Sequence, residues 1–502
     1  MKKVINDIIV VGAGASSLSF LHSLVNKVKP NEHFNIIVID KDRDYGCGNA
    51  YKDDVSTNLL NTKAGYITID KEQKGDFFNW LKKNESNWRS EFSDLEITVD
   101  SYLPRPLFGA YMRDKFDTLI KDSLAKNVRI STVKGEVVNV QKISNLKYTT
   151  HLSCGLKLES NVVILATGTS FLTKDVCKLN DNIFNSPYPL KKRIGQIDQN
   201  DSVLIIGARL SAIDTIVALK DNGHKGKITV HSRSSTFPCV RGTQDRYLNQ
   251  FLNINYIEQN NIKINIENLK ALFDKEMANY LKENSNVELA NESFAIKNCV
   301  VGSFKEYLLN ELEMASKPRP WQAILYDTNL ILSYIWNLLA DDERKLFMKS
   351  HLSHAMAMRV SIPELNARKL VNYIDEGNLE FISGSCVVET SAANEIKCTL
   401  NGNEQVYDKV IYATGSPRDL THSDSILFRN LNDSEIIGNN EYGGISVCKN
   451  TFQVLTNNGH VNEGLFALGE ITNGTHLFNS ALDIIVSHSS KCSELVLSKI
   501  SA

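Results

Sequence analysis

Two stretches of the chain carry residue types whose spacing can hold a phosphate without a metal. In the first, Asp7-Ile8-Ile9-Val10-Val11 runs into Gly12-Ala13-Gly14-Ala15-Ser16-Ser17 and then into apolar positions at Leu18, Phe20, Leu21, Leu24 and Val25. The β-branched run predicts a parallel strand covered on both faces, and the spacing after it predicts a helix. In such a unit the first glycine makes the tight turn and the second lets backbone approach a pyrophosphate. The helix N-terminus then offers open N–H groups and partial positive charge. Ser17 takes the third position, where a small side chain still permits close helix-to-strand packing. The next strand, Phe34-Asn35-Ile36-Ile37-Val38-Ile39, ends at Asp40, an acid placed to accept hydrogen bonds from the ribose hydroxyls of an adenosine. From Gly12 to Asp40 is 28 positions, longer than the usual ~20, and the polar stretch 26–32 takes up the excess. A tight turn in an unrelated α/β protein is the competing reading.

The plan recurs in mid-chain. Asp201-Ser202-Val203-Leu204-Ile205-Ile206 leads into Gly207-Ala208-Arg209-Leu210-Ser211-Ala212-Ile213-Asp214, and apolar positions continue through Ile216, Val217 and Leu219. The strand Lys227-Ile228-Thr229-Val230-His231 ends before Ser232-Arg233-Ser234. A hydroxyl and a guanidinium stand where the first stretch has an acid, which favours a 2′-phosphate and hence NADPH over NADH. Arg209 occupies the place of the second glycine. Either its guanidinium folds aside and clamps the phosphates, or it blocks the turn and leaves a relic domain.

These turns need a scaffold, and the rest of the chain supplies its signals. Two more apolar strands end in small-residue turns, Val162-Val163-Ile164-Leu165-Ala166-Thr167-Gly168 and Val410-Ile411-Tyr412-Ala413-Thr414-Gly415. Such ends suit chain crossings between domains, where backbone passes near a cofactor. Gly464-Leu465-Phe466-Ala467-Leu468-Gly469-Glu470 is a further strand, followed by a helical pattern over 480–496; an acid there commonly reaches the ribityl or pyrophosphate part of a flavin. Between Gly242 and Pro363 the periodicity is helical, as in Tyr247-Leu248 with Phe251-Leu252, Leu269 with Leu272-Phe273, and Ile324-Leu325 with Leu330-Ile331 and Ile335. Trp321 and the segment Tyr334-Ile335-Trp336 read as helix packing. Strands return over about 379–410, with Thr399-Leu400-Asn401-Gly402-Asn403-Glu404 as a hairpin turn. The predicted fold is α/β, with two Rossmann-like dinucleotide-binding domains and an inserted α-helical subdomain. Residues 1–185 with 415–502 form the first domain, 186–242 with 364–414 the second, and 243–363 the insertion.

Composition excludes several function classes. The 502 residues carry 56 Lys+Arg against 58 Asp+Glu, a formal net charge of −2, so no global field attracts nucleic acid or an anionic membrane face. The longest apolar stretch, 330–340, is about half the ~20 residues of a membrane span and is interrupted by Ser333 and Asn337. Met1-Lys2-Lys3 before Ile8 mimics a signal peptide, yet the apolar run leads straight into the glycine turn. Nine cysteines, at 47, 154, 177, 239, 299, 386, 398, 448 and 492, are too scattered for a Cys-x-x-Cys pair, a zinc site or a disulfide framework. Dispersed thiols fit a reducing cytoplasm, and no metal is expected.

The residues Gly46-Cys47-Gly48-Asn49-Ala50-Tyr51, Asn58-Leu59-Leu60-Asn61, Asp76-Phe77-Phe78-Asn79-Trp80-Leu81 and Pro104-Arg105-Pro106-Leu107-Phe108-Gly109-Ala110-Tyr111 add a family likeness. With the two dinucleotide turns and the Ala-Thr-Gly strand ends, the chain resembles the two-dinucleotide-binding-domain flavoproteins. More narrowly, it resembles the bacterial FAD/NAD(P)-binding oxidoreductases that include a nitrosuccinate-forming L-aspartate N-monooxygenase and an FAD-dependent urate hydroxylase. The likeness runs from near residue 6 to near 490.

That resemblance implies FAD at the first fold, held by Gly12, Gly14, Ala15, Ser16, Ser17, Asp40, Lys41, Asn61, Arg105, Val138, Thr167, Gly168, Gly469 and Glu470. Asn61 and a 104–109 loop would lie near the flavin. It implies NADPH at the second fold, held by Gly207, Arg209, Leu210, Ser211, Arg233 and Thr414. It further implies a monooxygenase cycle in which NADPH delivers hydride to the flavin, oxygen adds at the flavin C4a, and the hydroperoxide passes its terminal oxygen to a substrate. The cofactor then performs the difficult step, and no side-chain nucleophile or metal is required. The partners implied are a small polar substrate and O2, with homo-oligomerisation left open. Met356-Ala357-Met358-Arg359 departs from a more basic segment of the family, a departure that points to a substrate other than the family's.

Candidate catalytic residues are Arg105 and His476; candidate substrate contacts are Arg241, His354 and Arg359. For each, a surface ion pair or a satisfied interior group is the competing reading. The leading expectation is N-hydroxylation of an amine or amino acid. A flavin oxidase or dehydrogenase reduced by its own substrate, with a degenerate NADPH site, and a non-catalytic flavin-binding regulator are the alternatives.

Overall fold

The computed structural model describes residues 6–169, 177, 180–292, 303–391, 395–420 and 423–500. The chain divides into two units, one formed by 1–53, 62–172 and 416–502 and the other by 54–61 and 173–415. Met1-Lys2-Lys3 and Cys299 lie outside the described residues.

In the first unit the strand Asn6–Val11 lies at the centre of a parallel set, between Lys157–Leu165 and Phe34–Asp40. Val128–Lys134 extends the set on one side and Val461–Ala467 on the other. Ile8, Ile9 and Val10 are completely buried, as a strand covered on both faces requires. An antiparallel hairpin, Val137–Ser144 with Lys147–Leu152, is attached to Lys157–Leu165. Helix Ala15–Lys27 packs Leu18, Phe20, Leu21, Leu24 and Val25 inward and runs against the C-terminal helix Leu482–Ile500. Small serines line that contact. Ser489 Oγ donates to Ser16 O at 3.1 Å, and Ser493 Oγ reaches Ser23 Oγ at 2.8 Å, so the helices meet closely without an unpaired hydroxyl at either contact.

The second unit contains an all-parallel sheet in the order Leu379–Ser383, Ile228–Ser232, Val203–Ile206, Lys409–Tyr412, Ile183–Phe184. Helix Leu210–Asp221 buries every residue from Ala212 to Leu219. The expected hairpin is present as Ile396–Leu400 with Asn403–Tyr407, and its turn residues Asn401 and Gly402 take positive φ, as a tight two-residue connection demands. Between Gly242 and Pro363 the described residues form helices, Ile266–Glu283, Phe304–Ala315, Pro320–Asp327 and Leu352–Arg359 among them. Trp321 and Trp336 are buried core side chains. A charged centre holds this region together: Arg319, 1% exposed, forms ion pairs of 2.6 Å with both Glu292 and Glu311.

Two segments group differently from the sequence boundaries. Ile183–Phe184 pairs in parallel with Lys409–Tyr412 in the second sheet, whereas the sequence pattern places residues up to 185 in the first domain. Residues 54–61 join the second unit because the Asp54 carboxylate accepts the N–H groups of Leu190 (2.9 Å) and Lys191 (2.7 Å), capping helix Leu190–Ile194.

Two candidate dinucleotide sites

At the first turn Gly12 has φ +99°, a conformation that L side chains avoid. A Cβ at this position would sit 2.2 Å from the carbonyl oxygen of Ala166, so the Ala166-Thr167-Gly168 strand end lies directly on the glycine. Gly12 N donates to Ile39 O and Gly46 N to Ala13 O, both at 2.8 Å. Ser17 does more than leave space: its Oγ donates to Gly12 O at 2.5 Å and closes the turn from the helix side. Asp40 accepts the Ala13 N–H on Oδ2 (2.8 Å) and the Asp42 N–H on Oδ1 (2.9 Å). Two backbone bonds thus orient a carboxylate that still has acceptor sites for ribose hydroxyls.

Several features here fit a bound dinucleotide. Helix Ala15–Lys27 begins at Gly14 without a side-chain cap and has no acid in its first turn, which leaves its N-terminal N–H groups for an anion. Gly469 packs on the same turn, since a Cβ there would lie 2.8 Å from Ser16 Oγ. Thr167 Oγ1, Asn473 Oδ1 and Asn479 Oδ1 are buried with no hydrogen-bond partner among the described residues, as groups awaiting a ligand would be. The structure therefore gathers Gly12, Gly14, Ala15, Ser16, Ser17, Asp40, Thr167, Gly168, Gly469 and Glu470 at one end of the sheet.

Sequence reasoning missed the neighbours of Glu470. Burial pushes this carboxyl above its ordinary range, while the Asn473 amide (3.1 Å) and the Arg418 guanidinium pull it back. Burial likewise lowers Arg418, and Glu470 opposes that shift. The Tyr442 carbonyl fixes Arg418 Nη1 at 2.9 Å, and Gly443 lies so close that a Cβ would meet Asn473 Oδ1 at 2.7 Å. Ser416-Pro417-Arg418, directly after the second Ala-Thr-Gly, and the Gly443-Gly444 pair were the available signals.

Other first-site expectations are redistributed. Pro104-Arg105-Pro106 is not a loop but the start of the 21-residue helix Arg105–Ala125, because proline is tolerated in a first turn whose N–H groups have no intrahelical partner. Arg105 is therefore an N-terminal helix residue, close enough to Tyr51 to lower its phenol against the larger effect of burial. Lys41 is exposed. Val138 is a hairpin residue whose carbonyl accepts Asn430 Nδ2 at 2.7 Å. Asn61 belongs to the second unit, where its carbonyl accepts Arg241 Nη2 at 3.2 Å. His476 is 1% exposed and packs between the rings of Phe452 (5.0 Å) and His488 (4.7 Å). Burial, reinforced by His488 and Lys491, holds it neutral, so at neutral pH it is no imidazolium acid.

The second turn repeats the first. Gly207 has φ +124°, its N–H donates to His231 O at 2.8 Å, and a Cβ there would lie 2.4 Å from Ala413 O, with Thr414 next in line. Helix Leu210–Asp221 also starts without a side-chain cap or a first-turn acid, and the Ser211 carbonyl is taken by Thr215 Oγ1 at 2.6 Å. Arg209 has φ −110°, ψ −163°, close to the −90°, −164° of Gly14, so arginine adds no backbone strain at that position. Its guanidinium is turned onto the helical insertion, donating to Ser353 O (3.3 Å) and Ser353 Oγ (3.1 Å). Arg233 is exposed just past strand Ile228–Ser232.

Of the substrate candidates, Arg241 stacks 4.0 Å over the Tyr326 ring, and Arg359 donates to Thr328 Oγ1 (2.9 Å) and Asn329 Oδ1 (2.5 Å). His354 lies on the same helix as Arg359 and Ser353. Among the described residues no group of three or more His, Cys, Asp or Glu is placed to hold a metal, and no helix is long and apolar enough to cross a membrane. The eight described cysteines are free thiols.

Fold and turns define a class: an α/β protein with two Rossmann-like dinucleotide-binding domains and a helical subdomain, the fold of the two-domain flavoproteins. Residues 9–170 match the FAD-NAD(P)-binding family. The uncharacterized protein YdhS of Escherichia coli K12 is 23% identical over 224 residues, 44% of this chain and 39% of that protein. An uncharacterized Mycobacterium tuberculosis protein, Rv3403c, is 21% identical over 47% of this chain, so the chain spans only about two fifths to half of these relatives' length. The Kutzneria sp. 744 ornithine N-hydroxylase, solved with reduced FAD, NADP+ and L-ornithine, has a similar structure: TM-score 0.59, 12% identity, 98% of this chain and 99% of that one. The reduced ornithine hydroxylase of Pseudomonas aeruginosa matches with TM-score 0.57 and 14% identity over 99% of this chain and 100% of that one.

Proposed function

We propose that this protein is an FAD-dependent, NADPH-using monooxygenase that N-hydroxylates an amine or amino acid. The observation that carries the reading is the doubled glycine turn with opposite recognition chemistry: Asp40 at the first, Arg233 and hydroxyls at the second. A carboxylate suits the ribose of FAD and would repel a 2′-phosphate, whereas a guanidinium suits NADPH. The whole-length likeness to ornithine hydroxylases supports the same pairing of cofactors and suggests nitrogen as the atom oxygenated.

FAD bound at the first turn would supply the redox chemistry, accepting hydride from NADPH and activating O2. The chain's own tasks are then binding and exclusion of water. The open N–H groups at Ala15 to Ser17 would take the pyrophosphate, Asp40 would orient the adenosine, and Gly469 lets the strand end before Glu470 pack against Ser16 of that turn. Glu470, held beside Arg418, offers a carboxylate whose hydrogen bonds to a polyol would replace those it lost to water.

Purified holoprotein incubated with NADPH, O2 and a panel of diamines and amino acids is expected to release a hydroxylamine from one class, coupled to NADPH consumption. NADPH consumption that never yields an oxygenated nitrogen, whatever the amine offered, would contradict the N-hydroxylase reading.

A further inference from the structure

We infer that Ser353, on the helical insertion, positions Arg209 to build the pocket for the 2′-phosphate of NADPH. This rests on the reading of the second turn as an NADPH site and assigns to it a residue 144 positions from the turn.

Three hydroxyls converge beyond the end of strand Ile228–Ser232. Ser234 Oγ and Thr236 Oγ1 are 2.5 Å apart, and Ser353 Oγ lies 3.5 Å from the first and 3.3 Å from the second. Arg209 Nη2 donates to Ser353 Oγ at 3.1 Å and to Ser353 O at 3.3 Å, which draws the guanidinium from the pyrophosphate turn toward the strand end. Arg233 stands on the rim, exposed, with no hydrogen bond or ion pair among the described residues. In a dinucleotide fold the end of the second strand is where the adenosine ribose lies. Here that position has two guanidinium groups, three hydroxyls and, from Ser232 to Thr236, no acid.

The arrangement resolves what an arginine does in place of the second glycine. A guanidinium over the turn would cover the N–H groups that hold the pyrophosphate. Bonded to Ser353 it leaves them open and faces a phosphate on the neighbouring ribose. Because Ser353 Oγ accepts from Arg209, its own hydrogen can turn to the Thr236 (3.3 Å) or Ser234 (3.5 Å) hydroxyl, which links the guanidinium to the hydroxyl cluster. Ser353 acts through Arg209 and is a positioning residue. The same bond ties nucleotide recognition to helix Leu352–Arg359.

The test uses the flavin-loaded protein and two fragments, adenosine 2′,5′-bisphosphate and adenosine 5′-monophosphate, titrated calorimetrically. The wild type is expected to prefer the bisphosphate. Ser353→Ala should cut that preference roughly tenfold or more, the worth of a hydrogen bond to a charged group, with the monophosphate affinity and melting temperature unchanged. Ser353→Thr, which keeps the hydroxyl, should restore it, and Arg209→Gly should lose it. A wild type that binds the two fragments equally, a Ser353→Ala variant with undiminished preference, or an Arg209→Gly variant that binds the bisphosphate more tightly would each overturn the inference. A clear bisphosphate preference in a protein whose flavin NADPH fails to reduce would uphold this pocket and defeat the monooxygenase reading, so the two can fail separately.

Discussion

Gly12→Ala should leave a folded protein that purifies almost without flavin. The alanine Cβ would be placed 2.2 Å from the Ala166 carbonyl oxygen and 2.8 Å from its carbon, both backbone atoms of the buried residue directly after strand Lys157–Leu165. It would also hold an L side chain at φ +99°, a strain of about 1–3 kcal/mol before any overlap is counted. Relief requires either the turn or the Ala166-Thr167 crossing to move away, and both are surfaces on which the dinucleotide would rest. FAD occupancy is expected to fall at least tenfold, read from visible absorbance per mole of protein. Gly207→Ala is the internal control: its Cβ would meet Ala413 O at 2.4 Å, so it should keep FAD and lose NADPH. Full flavin content in Gly12→Ala would show that the first turn is not the FAD site.

The second large effect is on stability. Arg319→Ala removes a guanidinium that is 1% exposed and donates to both carboxylates of Glu292 and Glu311 and to Val240 O at 2.9 Å. Burial works against its charge, and the two glutamates more than offset that. Taking the cation away strands two carboxylates, one of them 5% exposed, for a loss of about 3–5 kcal/mol. At the ~2–4 °C per kcal/mol of a unit this size, the second unit should melt roughly 10 °C lower, while the first unit and its flavin remain. Replacing Arg319, Glu292 and Glu311 together by apolar residues of similar volume should recover most of the loss, because no lone charge is then left in the interior. A single Arg319→Ala variant that melts within one degree of the wild type would contradict this.

What could be read from sequence follows from locality. Both turns were legible because a β-branched run, a glycine and an apolar helical period are all signals within some fifteen residues, and the structure reproduces them twice with the same N–H and carbonyl geometry. The helical character of 243–363 was legible from periodicity alone. Pro104 to Gly109 was misread because prolines mark loops and helix starts alike, and only the packing of Phe108, Tyr111 and Met112 into the core decides between them. Asn61 was placed by its neighbours in sequence, whereas the Asp54 cap on helix Leu190–Ile194 ties its segment to the other unit. Ser353 left no signal in the sequence and Arg418 only its place after the second Ala-Thr-Gly, for one reason: each matters through a partner far away in the chain, Arg209 and Glu470, and no spacing rule connects them.

The central claim, that a flavin held at the first turn is reduced by NADPH held at the second, is tested most directly by anaerobic titration of the purified flavoprotein with NADPH and, separately, NADH. NADPH should bleach the flavin stoichiometrically and NADH much less readily, with the colour returning on admission of O2. Failure of NADPH to bleach the flavin, or a preference for NADH, would contradict the account.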